Sequence, residues 1–228
     1  MPARTIHNIP LILRPFFLLF GWIVGVAFFL HQRLYRILCR IEYAGKEHIE
    51  QHPGHILCVW HENLPLFFIS HPYFRHPNIW MTYPLWFMKP IHIMKKLIGI
   101  QELAYGASGI DGKAALQQVL DRLEEGWSTF LSPDGPKGPL KVAKDGVLLM
   151  SMKTGSPVIP IQFWVERDRR INSWDRKRYP RLGTKMVVAY GEPVFVTEEN
   201  WEAARKQISE GMSDPFERPL GDRSLPDL

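Results

Sequence analysis

The sequence predicts an α/β protein with a mostly parallel central sheet flanked by helices, preceded by an apolar, membrane-anchoring helix. Residues 9–30 hold a single charge, Arg14, and the chain after them alternates short apolar runs with helical patterns, as sheets with helical crossovers do. With 228 residues and 46% hydrophobic composition, the chain can bury one core of its own. We therefore expect a membrane-associated N-terminal helix over residues 1–40, an α/β domain over 41–208 and an extended polar tail over 209–228.

The N-terminal segment, IPLILRPFFLLFGWIVGVAFFL, is expected to lie in or on lipid. Residues 15–30 carry no charge, but this stretch is shorter than the roughly 20 residues that a helix needs to cross a bilayer, so a spanning and a monotopic anchor are both open. No small-residue cleavage pattern follows, which disfavours a signal peptide. The alternative is a core helix buried within the protein. The arginines that follow favour a main domain on the cytoplasmic face of the inner membrane; they are Arg33, Arg36 and Arg40.

Apolar runs predict the strands of the sheet, at residues 55–60, 78–83, 100–105, 127–132, 158–164 and 186–190. The clearest helix begins after Asp111, a candidate N-cap, and ends at Gly126. The apolar face of that helix carries Ala115, Leu116, Val119, Leu120 and Leu123. A further helix is expected over 147–153. The polar, proline-rich residues from Ser209 onward predict an extended tail.

The basic composition favours a binding partner that carries negative charge. The formal net charge is +5 and the isoelectric point is about 9.2, which suits an anionic membrane surface, a nucleic acid or a phosphate-bearing substrate. No nucleic-acid-binding motif accompanies the charge, so no nucleic-acid partner is expected. Cys39 and Cys58 form neither a disulfide framework nor a C-x-x-C pair. His71, His76 and His92 lack an accompanying carboxylate or thiolate cluster, so no metal is expected.

The most charged segment of the chain is ERDRRINSWDRKRYPR, residues 166–181, with seven Arg or Lys against three acids. We expect it to form a loop between two strands. It is either a solvated charged loop or a platform for lipid headgroups, since each cation near an anionic membrane surface adds about 1 kcal/mol.

His61 is the first candidate functional residue. It comes directly after the strand predicted at 55–60, and Asn63-Leu64-Pro65 can cap and begin a helix. Ligands of open α/β sheets bind at the carboxyl ends of strands, so His61 is placed to reach a substrate. Taken alone, a histidine beside an aromatic residue such as Trp60 is more often a hydrogen-bonded structural group.

The second candidate is the loop LSPDGPKGPLK, residues 131–141, at the end of the strand predicted over 127–132. Its prolines and glycines fix an unusual backbone path, which favours a binding loop over a tight surface turn. Asp134 and Lys137 present a carboxylate and an ammonium. Gly135 permits close backbone approach, and Lys137 can hold a phosphate as a point charge.

Together these segments resemble the lysophospholipid acyltransferase-like superfamily, with the glycerol-phosphate acyltransferase fold, and within it a poorly characterised bacterial subgroup that has a PDGP[KR]GP loop. The resemblance covers residues 41–196, and His61 stands at the catalytic histidine of the first motif. The second, third and fourth motifs match residues 105–113, 132–139 and 157–161. Residues 173–176, SWDR, and 190–193, YGEP, also resemble the subgroup.

The resemblance implies a membrane-associated acyltransferase that moves a fatty acyl group from acyl-CoA or acyl-carrier protein to a hydroxyl of a phosphorylated lipid acceptor such as a lysophospholipid. It implies His61 as general base, no metal, and no cofactor besides the acyl donor. The implied partners are the lipid acceptor, the acyl carrier and an anionic membrane surface. The implied substrate-binding residues are Ser108, Asp134, Gly135, Lys137 and Pro160.

One departure from the family concerns the partner of His61. The family's first motif has an aspartate five residues after the histidine, where this chain has Leu66. Glu62 would point about 100° away on a helix, so a backbone carbonyl or a distant carboxylate such as Asp111 is the candidate. The missing aspartate keeps a second hypothesis open, a catalytically inactive lipid-binding or scaffold protein of the same fold. A serine hydrolase is disfavoured, because residues 106–110 lack the last glycine of G-x-S-x-G.

Overall fold

The structure is a computed structural model that describes residues 9–74, 77–106 and 110–213. Its helices are α1 (Arg14–Leu38), α2 (Lys46–Gln51), α3 (Leu64–Ser70), α4 (Lys89–Leu97), α5 (Gly112–Glu124), α6 (Gly146–Thr154) and α7 (Trp201–Met212). Its strands are β1 (Arg40–Ala44), β2 (Ile56–Cys58), β3 (Ile79–Thr82), β4 (Glu102–Tyr105), β5 (Thr129–Leu131), β6 (Val158–Val165), β7 (Asp168–Arg170), β8 (Arg178–Pro180) and β9 (Lys185–Tyr190). Short 3₁₀ turns lead into α1, α3 and α4.

The central sheet has the strand order β1-β9-β6-β2-β5. Within it β6 and β9 pair antiparallel, and the other neighbours pair parallel. The parallel pair β3–β4 continues the sheet beyond β5 through a bridge between Asn78 and Ser128 and a hydrogen bond from Thr129 Oγ1 to the Ile79 carbonyl at 2.6 Å. The predicted α/β fold with a mostly parallel sheet is confirmed. Each predicted strand is present: the first four have shorter bounds than predicted, and β6 and β9 are each one residue longer.

The core lies on both faces of this sheet. Side chains alternate between the faces along a strand, so Ile56 and Cys58 of β2 join one hydrophobic cluster and Leu57 joins the other. The first cluster includes the apolar sides of α5, α6 and α7. The second includes Phe67 of α3 and Trp80 of β3. A strand covered on both faces reads as a continuous apolar run, which is why β2 was recognisable in the sequence.

Helix α1 packs on the domain along one side and is exposed on the other. Its contact with α4 depends on glycine: a Cβ at Gly21 would lie 2.5 Å from Lys89 Cγ, and one at Gly25 would lie 2.7 Å from Ile93 Cβ. Residues 11–38 are long and apolar enough to cross a membrane. The alternative of a buried core helix is wrong, since most of the apolar side chains of α1 are exposed; these include Phe16, Leu19, Phe20, Trp22, Ile23, Leu30 and Leu34.

The structure corrects two boundaries. The chain does not become extended at Ser209, because α7 continues to Met212 and its apolar face, including Ile208, packs in the core; residues 214–228 lie outside the described part. Residues 166–181 are not a plain loop, since β7 and β8 pair antiparallel within them. We call residues 168–180 the arm.

Candidate active site

The carboxyl ends of β2, β5 and β3 open into one large cavity of about 1320 Å³. His61 follows β2, Ser132 follows β5 and Tyr83 follows β3, and all of them line the cavity. Apolar side chains from α1, α3 and α4 cover much of the remaining wall; these include Phe28, Leu64, Phe68, Ile91 and Met94. The cavity therefore joins polar loops at strand ends to an apolar interior, in the position where open α/β sheets bind ligands.

The ring of His61 is hydrogen-bonded to a buried carboxylate. Nδ1 of His61 lies 2.6 Å from Oδ2 of Asp175, whose side chain is fully buried. An ionised carboxylate only accepts hydrogen bonds, so Nδ1–H donates and the lone pair is on Nε2. Nε2 lies on the edge of the ring beside Gly135, which also lines the cavity. This is the arrangement of a general base held in one tautomer by an acid.

The arm delivers Asp175 to this position. Ser173 Oγ donates to Asp175 Oδ1 at 2.6 Å, and the ammonium of Lys177 donates to Oδ2. The indole of Trp174 packs against the imidazole at a tilt of 39°, with its ring centroid 5.0 Å from that of His61. Each oxygen of the carboxylate therefore has a charged or polar partner, which is the condition under which a buried carboxylate stays ionised.

One ion pair joins the two strands of the arm, and another joins the arm to the domain. Arg178 Nε donates to Asp168 Oδ2 at 2.8 Å, which ties the two strands of the arm together. Arg170 Nη1 donates to Glu62 Oε2 at 2.8 Å, and Glu62 is almost completely buried. Glu62 thus anchors the arm and does not serve His61, in agreement with the sequence argument against it.

Asp134 fixes the backbone at His61 through hydrogen bonds. Its Oδ1 accepts the backbone N–H of His61 at 2.9 Å, its Oδ2 accepts that of Lys141 at 3.1 Å, and its side chain is fully buried. The prediction that Asp134 binds substrate is therefore wrong, because both carboxylate oxygens face the protein. Asp134 instead connects the end of β2 to residues 131–141, which we call the sheet-end loop.

Gly135 and Lys137 both line the cavity. A Cβ at Gly135 would lie 2.7 Å from Cδ2 of His61, so only glycine lets the loop approach the ring this closely. Pro160 is not part of this wall: it is buried in β6, and its ring lies against Gly191 and Gly211. The prediction that Pro160 binds substrate is wrong for that reason. Ser108 lies outside the described residues.

The site shifts the acidity of its groups in directions that suit a base. Burial lowers the pKa of His61, and the hydrogen bond to Asp175 partly opposes that shift. Burial disfavours ionisation of Asp175, but hydrogen bonds from Lys177, Ser173 and His61 hold the pKa of its carboxyl below the usual value. Burial raises the pKa of Asp134. A neutral imidazole beside an ionised carboxylate follows at neutral pH.

The charged side chains on the cavity wall are mostly cationic. The only acid among the described lining residues is Asp111, which occupies the N-cap position of α5. Asp111 was a candidate partner for His61, but the partner is Asp175. Two further groups are buried without a hydrogen-bond partner in the described part of the chain, Gln32 Oε1 on α1 and Ser132 Oγ. The lining lysines are Lys95, Lys113, Lys137, Lys144 and Lys177. The wall therefore favours an anionic amphiphile.

The histidines considered for a metal site have other partners. The ring of His71 is hydrogen-bonded to the Tyr190 hydroxyl at 2.7 Å, and that of His92 to the Tyr83 carbonyl at 3.0 Å. His76 lies outside the described residues. Over residues 9–74, 77–106 and 110–213, no group of three or more His, Cys, Asp or Glu is arranged to hold a metal ion.

The residue that sequence reasoning missed is Asp175. It lies 114 positions after His61, in a highly charged segment, where one of three acids among seven cations gives no local sign of its partner. The resemblance of Ser173-Trp174-Asp175-Arg176 to the bacterial subgroup was the available signal. The structure shows that this segment supplies both the carboxylate and the indole that packs against His61.

No protein-family model matches the chain. An uncharacterized protein from Rickettsia prowazekii (strain Madrid E) is 25% identical over 176 residues, which cover 74% of this chain and 79% of the relative. Among solved structures, the chain is similar to the 1-acyl-sn-glycerophosphate (LPA) acyltransferase from Thermotoga maritima, with 19% identity and a TM-score of 0.46 over 76% of this chain and 71% of that one. Both are distant likenesses.

Proposed function

We propose that this chain is a membrane-associated O-acyltransferase that moves a fatty acyl group from an acyl thioester to a hydroxyl of a phosphorylated lipid. The observation that carries the proposal is the hydrogen-bonded pair of His61 and Asp175 on the wall of a large amphiphilic cavity. A neutral imidazole oriented by a buried carboxylate is suited to remove a proton from a hydroxyl. The motifs that place His61 at a family's catalytic histidine point the same way.

In this reaction His61 Nε2 takes the proton of the acceptor hydroxyl while the hydroxyl oxygen attacks the thioester carbonyl carbon. Asp175 stays ionised and stabilises the imidazolium that forms. Collapse of the tetrahedral intermediate breaks the carbon–sulfur bond, and the proton on Nε2 passes to the departing sulfur. The products are an ester and a free thiol. General-base transfer of this kind contributes ~10²–10⁴-fold to the rate, and orientation in the cavity contributes further.

The substrate class follows from the cavity wall. Its apolar interior accommodates acyl chains, and the exposed Lys137 of the sheet-end loop can hold an acceptor phosphate near His61. Lys144 Nζ donates to the Gly135 carbonyl at 2.8 Å, which holds the loop and leaves its ammonium at the cavity. The acyl donor is acyl-CoA or acyl-carrier protein, whose thioester supplies the leaving group.

The exposed apolar side of α1 would keep the cavity at the bilayer surface. Trp86 and Phe87, which precede α4, are exposed beside it, and Phe17 contacts Trp86 with ring centroids 5.8 Å apart. Because α1 is held against α4 at Gly21 and Gly25, we favour insertion into one leaflet over a free perpendicular span. The main domain would face the cytoplasm, as the arginines after the apolar segment indicate.

The inactive-protein hypothesis loses its motivation. It arose because Leu66 stands where the family has an aspartate, and Leu66 is indeed fully buried in α3. The carboxylate comes instead from Asp175, so the absence of an acid at position 66 does not leave His61 without an acidic partner.

The test is transfer of labelled acyl groups from acyl-CoA and from acyl-carrier protein to total membrane lipid, with the full chain in detergent–lipid micelles. We expect the wild type to label a phosphorylated lipid and His61→Ala to lose at least about 10²-fold of that rate. His52→Ala is the matched control, since His52 bonds to the carbonyl of His48 and does not line the cavity.

The identity of the labelled product names the acceptor. Equal labelling by the wild type and His61→Ala, from both donors and with a complete lipid extract, would contradict the proposal. Release of free fatty acid that depends on His61, without ester formation, would replace acyl transfer by thioester hydrolysis.

A further inference from the structure

A buried lysine lies on the cavity wall away from His61. Lys95, on α4, is only 8% exposed, and its Nζ donates to Thr82 Oγ1 at 3.0 Å. Thr82 is the last residue of β3, and both residues line the cavity. Nζ also donates a long hydrogen bond of 3.5 Å to the Met81 carbonyl, and the Trp80 ring centroid lies 5.7 Å from Nζ. The reaction proposed above gives this amine no role.

The charged form of this amine is unfavourable without an anion nearby. Among the described residues the hydrogen-bond partners of Lys95 Nζ are the Thr82 hydroxyl and the Met81 carbonyl, neither of them a carboxylate, and burial lowers its pKa to about 7. His92, on the same helix, interacts electrostatically with Lys95; burial lowers the pKa of His92 to about 4, so it is neutral and offers no negative charge. Desolvating an ammonium is costly unless an anion compensates it, and a lysine with this pKa in a cavity is a candidate functional group.

The position of Lys95 relative to His61 follows from the sheet. Thr82 ends β3 and His61 follows β2, and β5 lies between these strands. Neighbouring strands are 4.7–4.9 Å apart, so the two strand ends are separated by about 10 Å. The wall near Lys95 includes the apolar side chains of Met81 and Met94. A ligand that reaches both places must therefore carry two polar points with an apolar or uncharged stretch between them.

We propose that Lys95 and Thr82 form a second anion-binding subsite, which takes an oxyanion of the substrate about 10 Å from the hydroxyl at His61. This subsite is separate from the phosphate contact at Lys137. The inference rests on the proposed function for the identity of the reacting hydroxyl. The oxyanion is a phosphate or a carboxylate, and it belongs either to the lipid acceptor or to the carrier portion of the acyl donor.

The first test measures binding of decyl phosphate to the full chain in a non-ionic detergent by calorimetry at pH 8, in two buffers of different ionisation enthalpy. With a pKa of about 7, Lys95 is about one-tenth protonated at pH 8, so an anion bound to its ammonium draws in about one proton. We expect this uptake in the wild type and in Lys96→Met, the matched control, since Lys96 is exposed on the same helix. Lys95→Met should bind about tenfold more weakly and lose the proton uptake.

Two comparisons separate ligand binding from a structural role. If Lys95 stabilises the folded state, Lys95→Met lowers the melting temperature. If Lys95 instead binds an anion, the variant without ligand melts at the same or a higher temperature. Lys95→Gln, which keeps a hydrogen bond to Thr82, should also lose the proton uptake, and it serves if the methionine variant does not fold. Equal affinity and equal uptake in the wild type and a folded Lys95 variant would overturn the subsite.

Acyl-transfer kinetics on the same preparations distinguish the two proposals. A raised KM for the lipid in Lys95→Met assigns the oxyanion to the acceptor, and a raised KM for the thioester assigns it to the donor. Transfer that depends on His61 with both KM values unchanged overturns the subsite alone. Binding of decyl phosphate that depends on Lys95, without transfer that depends on His61, overturns the acyltransferase proposal alone.

Discussion

The sheet-end loop and the arm hold His61 from two sides and do so by different means. The loop acts on the backbone and by close approach: Asp134 accepts the backbone N–H of His61, and Gly135 lies close to Cδ2 and Nε2 of its ring. The arm uses side chains: Asp175 accepts a hydrogen bond from the ring, and Trp174 packs against it. The loop therefore fixes the position of His61, and the arm fixes which nitrogen of its ring carries the proton.

The difference matters for what each segment can tolerate. A buried carboxylate whose oxygens both accept backbone N–H groups is part of the fold, because its loss leaves two donors unsatisfied. A carboxylate bonded to an imidazole contributes to the chemistry, because it sets the tautomer and stabilises the charge that forms. Substituting one residue on each side tests whether position and protonation are divided in this way.

The largest effect is expected for Asp175→Asn. The amide can donate to Nδ1 and turn the ring to the wrong tautomer, and it cannot stabilise an imidazolium, so kcat for acyl transfer should fall on the order of 10³-fold. Asp168→Asn, on the same arm, keeps an oxygen for Arg178 and should retain most of the rate. Steady-state kinetics on both variants check this. A fall of less than threefold in Asp175→Asn would remove the arm from the chemistry.

A smaller effect on rate and a larger one on stability are expected for Asp134→Asn. One of the two backbone N–H groups then faces an amide NH₂, so the free energy of unfolding should fall by ~1–3 kcal/mol. Denaturant unfolding at neutral pH, beside wild type and Asp175→Asn, measures it. Unchanged stability together with a kcat loss as large as that of Asp175→Asn would contradict this division, in which the loop positions His61 and the arm sets its protonation.

The smallest effect is a shift in pH dependence. His61 must be neutral to act as a base, and burial lowers its pKa, so kcat/KM should fall on the acid side with a midpoint below 6.5. Asp175 raises the pKa of His61, so the residual activity of Asp175→Asn should have its midpoint at still lower pH. A rate profile between pH 4.5 and 8 compares the two. A midpoint above 6.5 in the wild type would mean that another group limits the rate.

The parts that the sequence predicted are those with a local cause. The strand at 55–60 is a continuous apolar run because both faces of β2 are covered, and α5 showed its apolar face through the spacing of Ala115, Val119 and Leu123. His61 and Gly135 were identified because strand ends and glycine-rich loops have recognisable patterns. The role of Asp134 was misread, since a sequence shows a carboxylate but not whether its oxygens face solvent or the backbone.

By itself, then, the sequence determined the alternation of strands and helices, the apolar N-terminal helix and the position of His61 at the end of a strand, because hydrophobic periodicity and turn chemistry act over a few residues. The tertiary structure alone decided the partner of His61 and the place of Lys95. Asp175 reaches His61 across 114 residues because β7 and β8 fold back over the site. Lys95 faces the cavity because α4 packs over the end of β3, and its buried state depends on contacts that no local pattern encodes.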